Sequence, residues 1–196
     1  ILMADDEVFT IKTIKEYRDI MSRCIEQQNG RVVDSPGDNM LAEFRSVVDG
    51  VECAVKIQEE LRTKNADLPE NRKMQFRIGI NVGDVIEDEG RIYGNSINVA
   101  ARIESLAKSG GICISRSVWD QVKNRIDIGY ENLGKQRLKN INEEVEVYRV
   151  QLEDSSVDSS LISEKGIETR KMDLPLPERK SIAVLPFINM STMPEQ

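Results

Sequence analysis

Residues 76–84 read FRIGINVGD, and this stretch decides the fold class. From Phe76 to Val82 its apolar side chains alternate with polar or small ones. A period of two is typical of a strand that is half buried. Outward from it, apolar residues at steps of three and four predict helices at about 4–28 and 46–64 upstream and at about 96–107 downstream.

The remaining segments predict short strands joined by turns. A turn-forming composition at 35–39 separates two strand candidates, which suggests a hairpin. Helices and strands therefore alternate irregularly, with hairpins as well as crossovers. That order favours an α+β layered sheet over a strictly parallel one. The further predicted elements are strands 31–33, 40–44 and 112–115, a helix at 117–124, and a closing hairpin of 137–139 with 145–150.

The 196 residues divide by composition into three parts. Residues 1–150 carry the periodic segments and predict one folded domain. Residues 151–180 are rich in Ser and Asp without a clear period, which is typical of a flexible linker. The apolar run that opens 181–196 resembles a strand without a partner, so we expect it to start a truncated second domain.

Composition excludes several classes of function. The chain has 27 Lys and Arg against 34 Asp and Glu, a net charge of −7, which argues against nucleic-acid binding. It has no histidine, which excludes His-ligated zinc and Ser-His-Asp triads within these residues.

The three cysteines, Cys24, Cys53 and Cys113, are widely spaced, so we expect them to pack as small hydrophobes in a reducing, cytoplasmic protein. Its apolar runs fall short of the ~20 residues of a membrane span.

Four residues could carry chemistry, although each also has a plain structural interpretation. Asp38 occupies a predicted turn, where Asp binds nearby backbone amides, but a carboxylate there could also hold Mg²⁺. Asn98 and Arg102 are four apart and share a helix face, so they could reach one ligand or form a solvated polar face. Lys139 is by default a surface lysine, and Asp34 has no strong meaning by itself.

Three stretches in order resemble the class III nucleotidyl cyclases of bacterial type. Residues 30–44 read GRVVDSPGDNMLAEF, 76–84 read FRIGINVGD, and 92–104 read IYGNSINVAARIE. The resemblance covers about residues 1–150. Residues 181–196 also resemble a segment that follows the linker in a subfamily that continues into tetratricopeptide repeats.

The resemblance implies a ferredoxin-like α+β nucleotidyl cyclase fold, a mixed, mostly antiparallel sheet with helices on one face. It implies a head-to-tail homodimer with sites at the interface. It implies the conversion of ATP, or of GTP in some members, to the 3′,5′-cyclic nucleotide and pyrophosphate. Two divalent ions per site, Mg²⁺ or Mn²⁺, would assist the attack.

Site residues follow from the resemblance by position. Asp38 matches a metal-binding aspartate, and Asn98 matches the asparagine that orients the ribose. Arg102 matches the arginine that stabilises the transition-state charge, and Lys139 matches a lysine that reaches the terminal phosphates. In the family the metal ligands come from one subunit and the other three groups from its partner.

Two departures from the family pattern leave alternatives open. Asp34 stands where many adenylyl cyclases have a base-reading lysine, and Arg91 stands where its partner is often Asp. The family's first metal aspartate lies in a strand before the first helix, and the chain begins at Ile1 just past that strand, so we expect the fragment itself to be inactive. The alternatives are a guanylate cyclase, a catalytically degenerate regulatory domain that dimerises or binds nucleotide, and an interaction domain without a ligand.

Overall fold

A computed structural model describes residues 2–35, 39–88, 91–152 and 181–188; the side chains of 2–11, 71, 88, 91 and 181–188 are outside that description. The elements follow the predicted order, with a central sheet covered by helices. They are α1 (Leu2–Gln27), β1 (Gly30–Asp34), β2 (Asn39–Phe44), α2 (Val47–Ala66), β3 (Gln75–Phe76), β4 (Ile78–Val82), β5 (Ile86–Asp88), β6 (Arg91–Tyr93), α3 (Asn95–Glu104), β7 (Ile112–Ser115), α4 (Arg116–Val122), β8 (Gly129–Gln136), β9 (Val145–Gln151) and β10 (Ser181–Ile188).

The main sheet runs in the order β1-β2-β10-β4-β7-β9-β8, with β3 paired to β10. Within the described residues, β4 and β7 pair in parallel and the other neighbours pair antiparallel. Strands β5 and β6 form a separate two-stranded ribbon. This topology confirms the predicted α+β class with a mixed, mostly antiparallel sheet.

Both faces of the sheet are covered, which refines the expectation of helices on one face. Ile80 and Ile114 belong to the large core formed with α1, α2 and α4. The intervening Cys113 packs instead against Ile103 of α3, on the opposite face. Alternation along β7 explains this arrangement, because all four of its residues are buried and successive side chains point to opposite faces.

Strand β10 lies in the middle of the sheet, between β2 and β4. The sequence pattern left this segment without a partner and suggested a second domain, whereas the structure pairs it with both neighbours. An apolar run predicts a strand but carries no information about which distant strand it joins. The boundaries at 150 and 180 stay predictions, and residues 189–196 lie outside the described residues.

Two hairpins differ from their prediction. The closing hairpin is formed by Gly129–Gln136 and Val145–Gln151, not by 137–139 with 145–150. The ribbon of β5 and β6 is absent from the predicted elements. The two differences have the same cause. Strand β8 is largely exposed and Ile86 of β5 is 72% exposed, so neither strand shows the alternation of buried and exposed residues from which strands are predicted.

The three cysteines are buried, as predicted, with relative exposures of 0–1%. Burial is the main cause that raises the pKa of Cys24 to about 11, of Cys53 to about 12 and of Cys113 to about 11. They therefore act as packing groups and not as reactive thiols. Among the described helices, none has the length and apolar character needed to cross a membrane.

Candidate active site

Helix α3 carries the amide and the guanidinium that the sequence singles out. Its inward face is formed by Val99, Ala100 and Ile103, all buried. Asn98 and Arg102 occupy the outward face, one turn apart, and both are exposed. Within the part of the chain that the structure describes, neither side chain is paired with another group. Both are therefore available to a ligand.

A glycine in β4 sets how closely α3 packs on the sheet. A Cβ at Gly79 would overlap the carbonyl oxygen of Ala100 and the backbone nitrogen of Glu104, and it would lie 2.6 Å from the Cβ of Glu104. The helix therefore rests directly on the strand backbone, which only glycine allows here. The periodic sequence at 76–82 predicted the strand but not this close contact.

The start of α3 is attached to the end of β4 by two hydrogen bonds. Asn81 Nδ2 donates to the Ser96 carbonyl oxygen at 3.2 Å, and Ser96 Oγ donates to the Asp84 carbonyl oxygen at 3.1 Å. Asn81 is itself buried. Together these bonds fix the direction in which the helix leaves the sheet.

An ion pair between the partly buried Arg77 and the buried Glu104 holds the other end of α3, and the sequence analysis missed it. Arg77 Nε lies 2.7 Å from Glu104 Oε1, and the Glu104 side chain is 6% exposed. Burial raises the pKa of Glu104, and the positive charge of Arg77 opposes that rise. The available signal was the position of Glu104, which is four residues after the buried Ala100 and therefore on the inward face.

The turn that carries Asp38 is described only at its two ends, because residues 36–38 lie outside the described residues. Strands β1 and β2 hold the turn in a register that pairs Gly30 with Phe44 and Asp34 with Leu41. Ser35 Oγ donates to the Asn39 carbonyl oxygen at 3.2 Å. The assignment of Asp38 as a metal ligand stays a prediction.

Asp34 is exposed at the end of β1, and its Oδ1 accepts a hydrogen bond from the Ser35 backbone nitrogen at 2.8 Å. Arg91 begins β6, and its backbone pairs with Asp88. The neighbouring residues Val33 and Ile92 belong to one small apolar cluster with Ala100 of α3. The structure thus brings the strands that carry Asp34 and Arg91 to the same side of α3.

A charged network also joins β1 to the ribbon. Arg31 Nε donates to Glu43 Oε1 at 2.5 Å, and Arg31 Nη2 donates to Glu87 Oε1 at 2.9 Å. Glu43 belongs to β2 and Glu87 to β5, so one guanidinium ties three strands. The hydrogen bonds to Glu43 and Glu87 raise the pKa of Arg31 above its usual value, so the guanidinium stays charged.

Lys139 is exposed in the loop between β8 and β9. The preceding Leu138 is 7% exposed and packs in the cluster that contains Val99 and Ile103. The Ile141 backbone nitrogen donates to the Leu138 carbonyl oxygen at 3.1 Å, which forms a turn around Lys139. The loop is thus anchored to the helix that carries Asn98 and Arg102.

A cleft of about 840 Å³ lies beside the N-terminal end of α3, lined mainly by polar residues that include Asn81, Ser115 and Arg116. None of the described site residues, Asn98, Arg102, Lys139 and Asp34, lines it. Within the described residues there is also no group of three or more Cys, Asp or Glu placed to hold a metal ion. These four described residues therefore do not converge on this cleft of their own chain.

Comparison with known proteins finds a family match over most of the chain. Residues 2–152 match the family profile described as the Adenylate and Guanylate cyclase catalytic domain. A Rhizobium meliloti (strain 1021) protein named "Putative adenylate cyclase 3" is 36% identical over 196 residues, which is 100% of this chain and 32% of that protein. The serine/threonine-protein kinase pkn2 of Myxococcus xanthus is 26% identical over 162 residues, or 77% of this chain and 19% of that protein. The chain thus spans about a third or less of the length of these two relatives.

Solved structures share the fold. The adenylate/guanylate cyclase/hydrolase from Silicibacter pomeroyi is 34% identical with a TM-score of 0.68, covering 76% of this chain and 87% of that one. A Trypanosoma brucei adenylate cyclase, solved in its monomeric state, is 20% identical with a TM-score of 0.62, covering 76% and 83%. At that identity the likeness concerns the fold alone.

Proposed function

This chain belongs to the family of adenylate and guanylate cyclase catalytic domains, and we propose on that premise that it forms a 3′,5′-cyclic purine nucleotide and pyrophosphate, with ATP as substrate. The observation that supports the proposal is the exposed pair Asn98 and Arg102, presented one turn apart by a helix that is fixed at both ends.

In the proposed reaction the ribose 3′-hydroxyl gives its proton to solvent water, and its oxygen forms a bond to the α-phosphorus. The bond from that phosphorus to the oxygen bridging to the β-phosphate breaks, and pyrophosphate leaves. Negative charge builds on the phosphoryl oxygens during this exchange. The Arg102 guanidinium can bind two such oxygens at once, while the Asn98 amide holds the ribose.

Lys139 completes the proposed set of donors by binding the terminal phosphates as a point charge. Its loop is anchored through Leu138 to the core of α3, so it is held in relation to Asn98 and Arg102. The cytoplasm, where nucleoside triphosphates are abundant, is the proposed location.

A second protomer is part of the proposal. Asn98 and Arg102 face away from the core and do not line the cleft of their own chain. A triphosphate bound to them would be covered on one side only. We therefore propose a homodimer in which the turn that carries Asp38 in one protomer meets α3 of its partner.

The metal part of the proposal rests on Asp38. Mg²⁺ is usually held by one or two carboxylates together with phosphate oxygens, and a carboxylate in a turn suits that role. The described residues do not form a metal site by themselves. We therefore assign no step of the reaction to Mg²⁺ or Mn²⁺.

Asp34 favours two alternative functions. One is the turnover of GTP, and the other is nucleotide binding without turnover. Asp34 is exposed, and a carboxylate can only accept hydrogen bonds. It therefore suits the N–H groups of guanine, or the exocyclic amine of adenine, and it cannot donate to adenine N1. Comparing kcat/KM for ATP and GTP distinguishes the two substrates, and calorimetry with a non-hydrolysable analogue detects binding without turnover.

The proposal is tested on the natural protein that contains this chain, with Mn²⁺ and each triphosphate, by chromatography of the cyclic nucleotide. Replacing Arg102 with Ala should lower kcat by about 10²–10³-fold, because a donor to the developing charge is lost. Arg125→Ala is the matched control, since Arg125 is also an exposed arginine but follows α4. Activity retained in Arg102→Ala, or lost equally in the control, contradicts the proposal.

Assaying residues 1–196 beside the longer protein tests the expectation that this fragment is inactive.

A further inference from the structure

Another groove, of about 510 Å³, lies beside α2, and none of the described residues of the proposed active site lines it. Its walls are the C-terminal half of α2, the segment 73–76, the loop 108–111 that follows α3, and the end of β9. A volume of this size is typical of a small-molecule site. The residues of this groove have no role in the reaction proposed above.

Buried amides hold the walls of this groove in place. Gln58 Nε2 donates to the Phe76 carbonyl oxygen at 2.9 Å and to the Gly111 carbonyl oxygen at 3.3 Å. Asn65 Nδ2 donates to the Met74 carbonyl oxygen at 2.7 Å, and its Oδ1 accepts from the Met74 backbone nitrogen at 3.1 Å. Both amide side chains are buried, and breaking such a bond leaves a buried polar group unpaired. The groove is therefore formed before any ligand enters.

The inner surface of the groove is apolar. Leu61, Phe76 and Val150 line it and are 2–3% exposed, and Leu152 at its end is half-buried. An apolar group that packs on these side chains is removed from water, which favours binding. The groove therefore suits a ligand that has an apolar part.

The groove also carries an excess of positive charge. Four basic residues line it against one acidic residue, Glu59, although acidic residues outnumber basic ones by 34 to 27 in the whole chain. The four are Arg62, Lys73, Lys108 and Arg149. A local excess of positive charge on an acidic protein attracts an anionic ligand.

The cations of the groove form ion pairs only of a weak kind in the described part of the chain. Lys73 Nζ pairs with Glu70 Oε1, whose side chain is 88% exposed, and Arg149 Nη1 pairs with Glu131 Oε2, whose side chain is 49% exposed. Exposed pairs of this kind contribute little free energy. Lys108 is exposed and has no side-chain partner within the described residues. These cations can therefore bind an anion without breaking a strong interaction.

We propose that this groove binds a small organic anion. The ligand's apolar part packs against Phe76 and Val150, and its carboxylate or phosphate group binds Lys108 and Arg149. Apolar contact supplies most of the affinity, and the charged group fixes the orientation. An inorganic anion has no apolar part, so it should bind more weakly. The proposal does not depend on cyclase activity.

The first experiment measures binding of the fluorescent anion anilinonaphthalene sulfonate to the natural protein that contains this chain. Octanoate and phenyl phosphate compete with the dye, one as a carboxylate and the other as a phosphate ester, and the better competitor identifies the anionic group. Inorganic phosphate is the control without an apolar part. We expect the better organic anion to displace the dye at a concentration about 10-fold or more below that of inorganic phosphate. Equal competition by inorganic phosphate, or no competition by either organic anion, would overturn the proposal.

Two substitutions assign the bound dye to the groove. Ala66→Glu places a negative charge at an exposed lining position, and Lys108→Glu reverses a charge of the groove. Each should weaken dye binding about tenfold, since attraction is replaced by repulsion. The matched control is Lys135→Glu, an exposed lysine of β8 that does not line the groove, and it should change binding by less than about twofold. Binding that is equal in all variants, or weakened as much in the control, places the dye elsewhere and contradicts the proposal.

Hydrogen exchange locates the ligand without any substitution. With octanoate or phenyl phosphate bound, amides of 73–76 and 108–111 should exchange about twofold or more slowly than in the free protein. Protection found only around Asn98, Arg102 and Lys139 would place the anion at the proposed active site and refute the groove as its site. Neither measurement uses a nucleotide, so failure of the groove and failure of the proposed cyclase reaction are distinguishable.

Discussion

Replacing Gly79 with Ala tests how closely the helix α3 is packed on the sheet. The added Cβ would lie 2.6 Å from the Cβ of Glu104, whereas non-bonded carbons approach to about 3.5–4.0 Å. Its other two near neighbours are backbone atoms of α3, which cannot rotate away as a side chain could. The helix must therefore move outward by about 1 Å.

The size of the effect follows from that displacement. Overpacking a core by one methyl group costs about 1–3 kcal/mol, and we expect the upper part of that range because backbone atoms are in the way. A misplacement of about 1 Å in groups that position a substrate can lower turnover about 10²-fold. Stability and cyclase activity should thus fall together in Gly79→Ala.

The assay is urea denaturation followed by circular dichroism, together with turnover of the triphosphate. Gly50→Ala is the matched control, because its Cβ would meet only the Phe44 ring at 3.4 Å or more. Within α2 that change should leave stability unchanged or raise it by about 0.5–1 kcal/mol. A Gly79→Ala protein whose unfolding free energy stays within about 0.5 kcal/mol of the original would refute the packing argument.

Two further substitutions and one labelling experiment test other parts of the structure. Arg77→Ala leaves the buried carboxylate of Glu104 without its partner. Since the Arg77 side chain is 23% exposed, the cost should not exceed the lower end of the range of about 3–5 kcal/mol for fully buried pairs. Burial already raises the pKa of Glu104, and losing Arg77 should raise that pKa further. The loss of stability should therefore be full only above the pKa that Glu104 has in the variant, and it should shrink as acid protonates Glu104 in both proteins, which denaturation at pH 5 and pH 8 measures. The thiol of Cys113, buried and with a pKa of about 11, should react with a thiol reagent at pH 8 only after urea unfolds the protein. Leu138→Ala should cost about 2–4 kcal/mol by calorimetry and raise KM for the triphosphate, because it loosens the loop of Lys139.

Local periodicity in the sequence was sufficient to predict much of the fold. The alternation at 76–82 located β4, and steps of three and four located α3 with Asn98 and Arg102 outward. Helix α1 ends at Gln27, close to the predicted end at about 28, and Asn29 just after it takes a φ of 56°. These features depend on neighbours within one or two turns, which a sequence displays directly.

The features that were missed depend on contacts between distant residues. The position of Glu104 indicates the inward helix face, but only the approach of Arg77, which lies between β3 and β4, gives the carboxylate its partner. The pairing of β10 with β2 and β4 joins the end of the described chain to its middle. The position of Asp38 lies outside the described residues, so its assignment still rests on the resemblance.

The placement of β10 has a consequence for the rate of folding. Its partners β2 and β4 come from the first half of the chain, so these pairings join residues of large sequence separation. Contacts of that kind close long loops and are made slowly. When this chain refolds from urea, amides of β2 and β4 that pair with β10 should therefore gain protection later than the helices gain their circular dichroism signal.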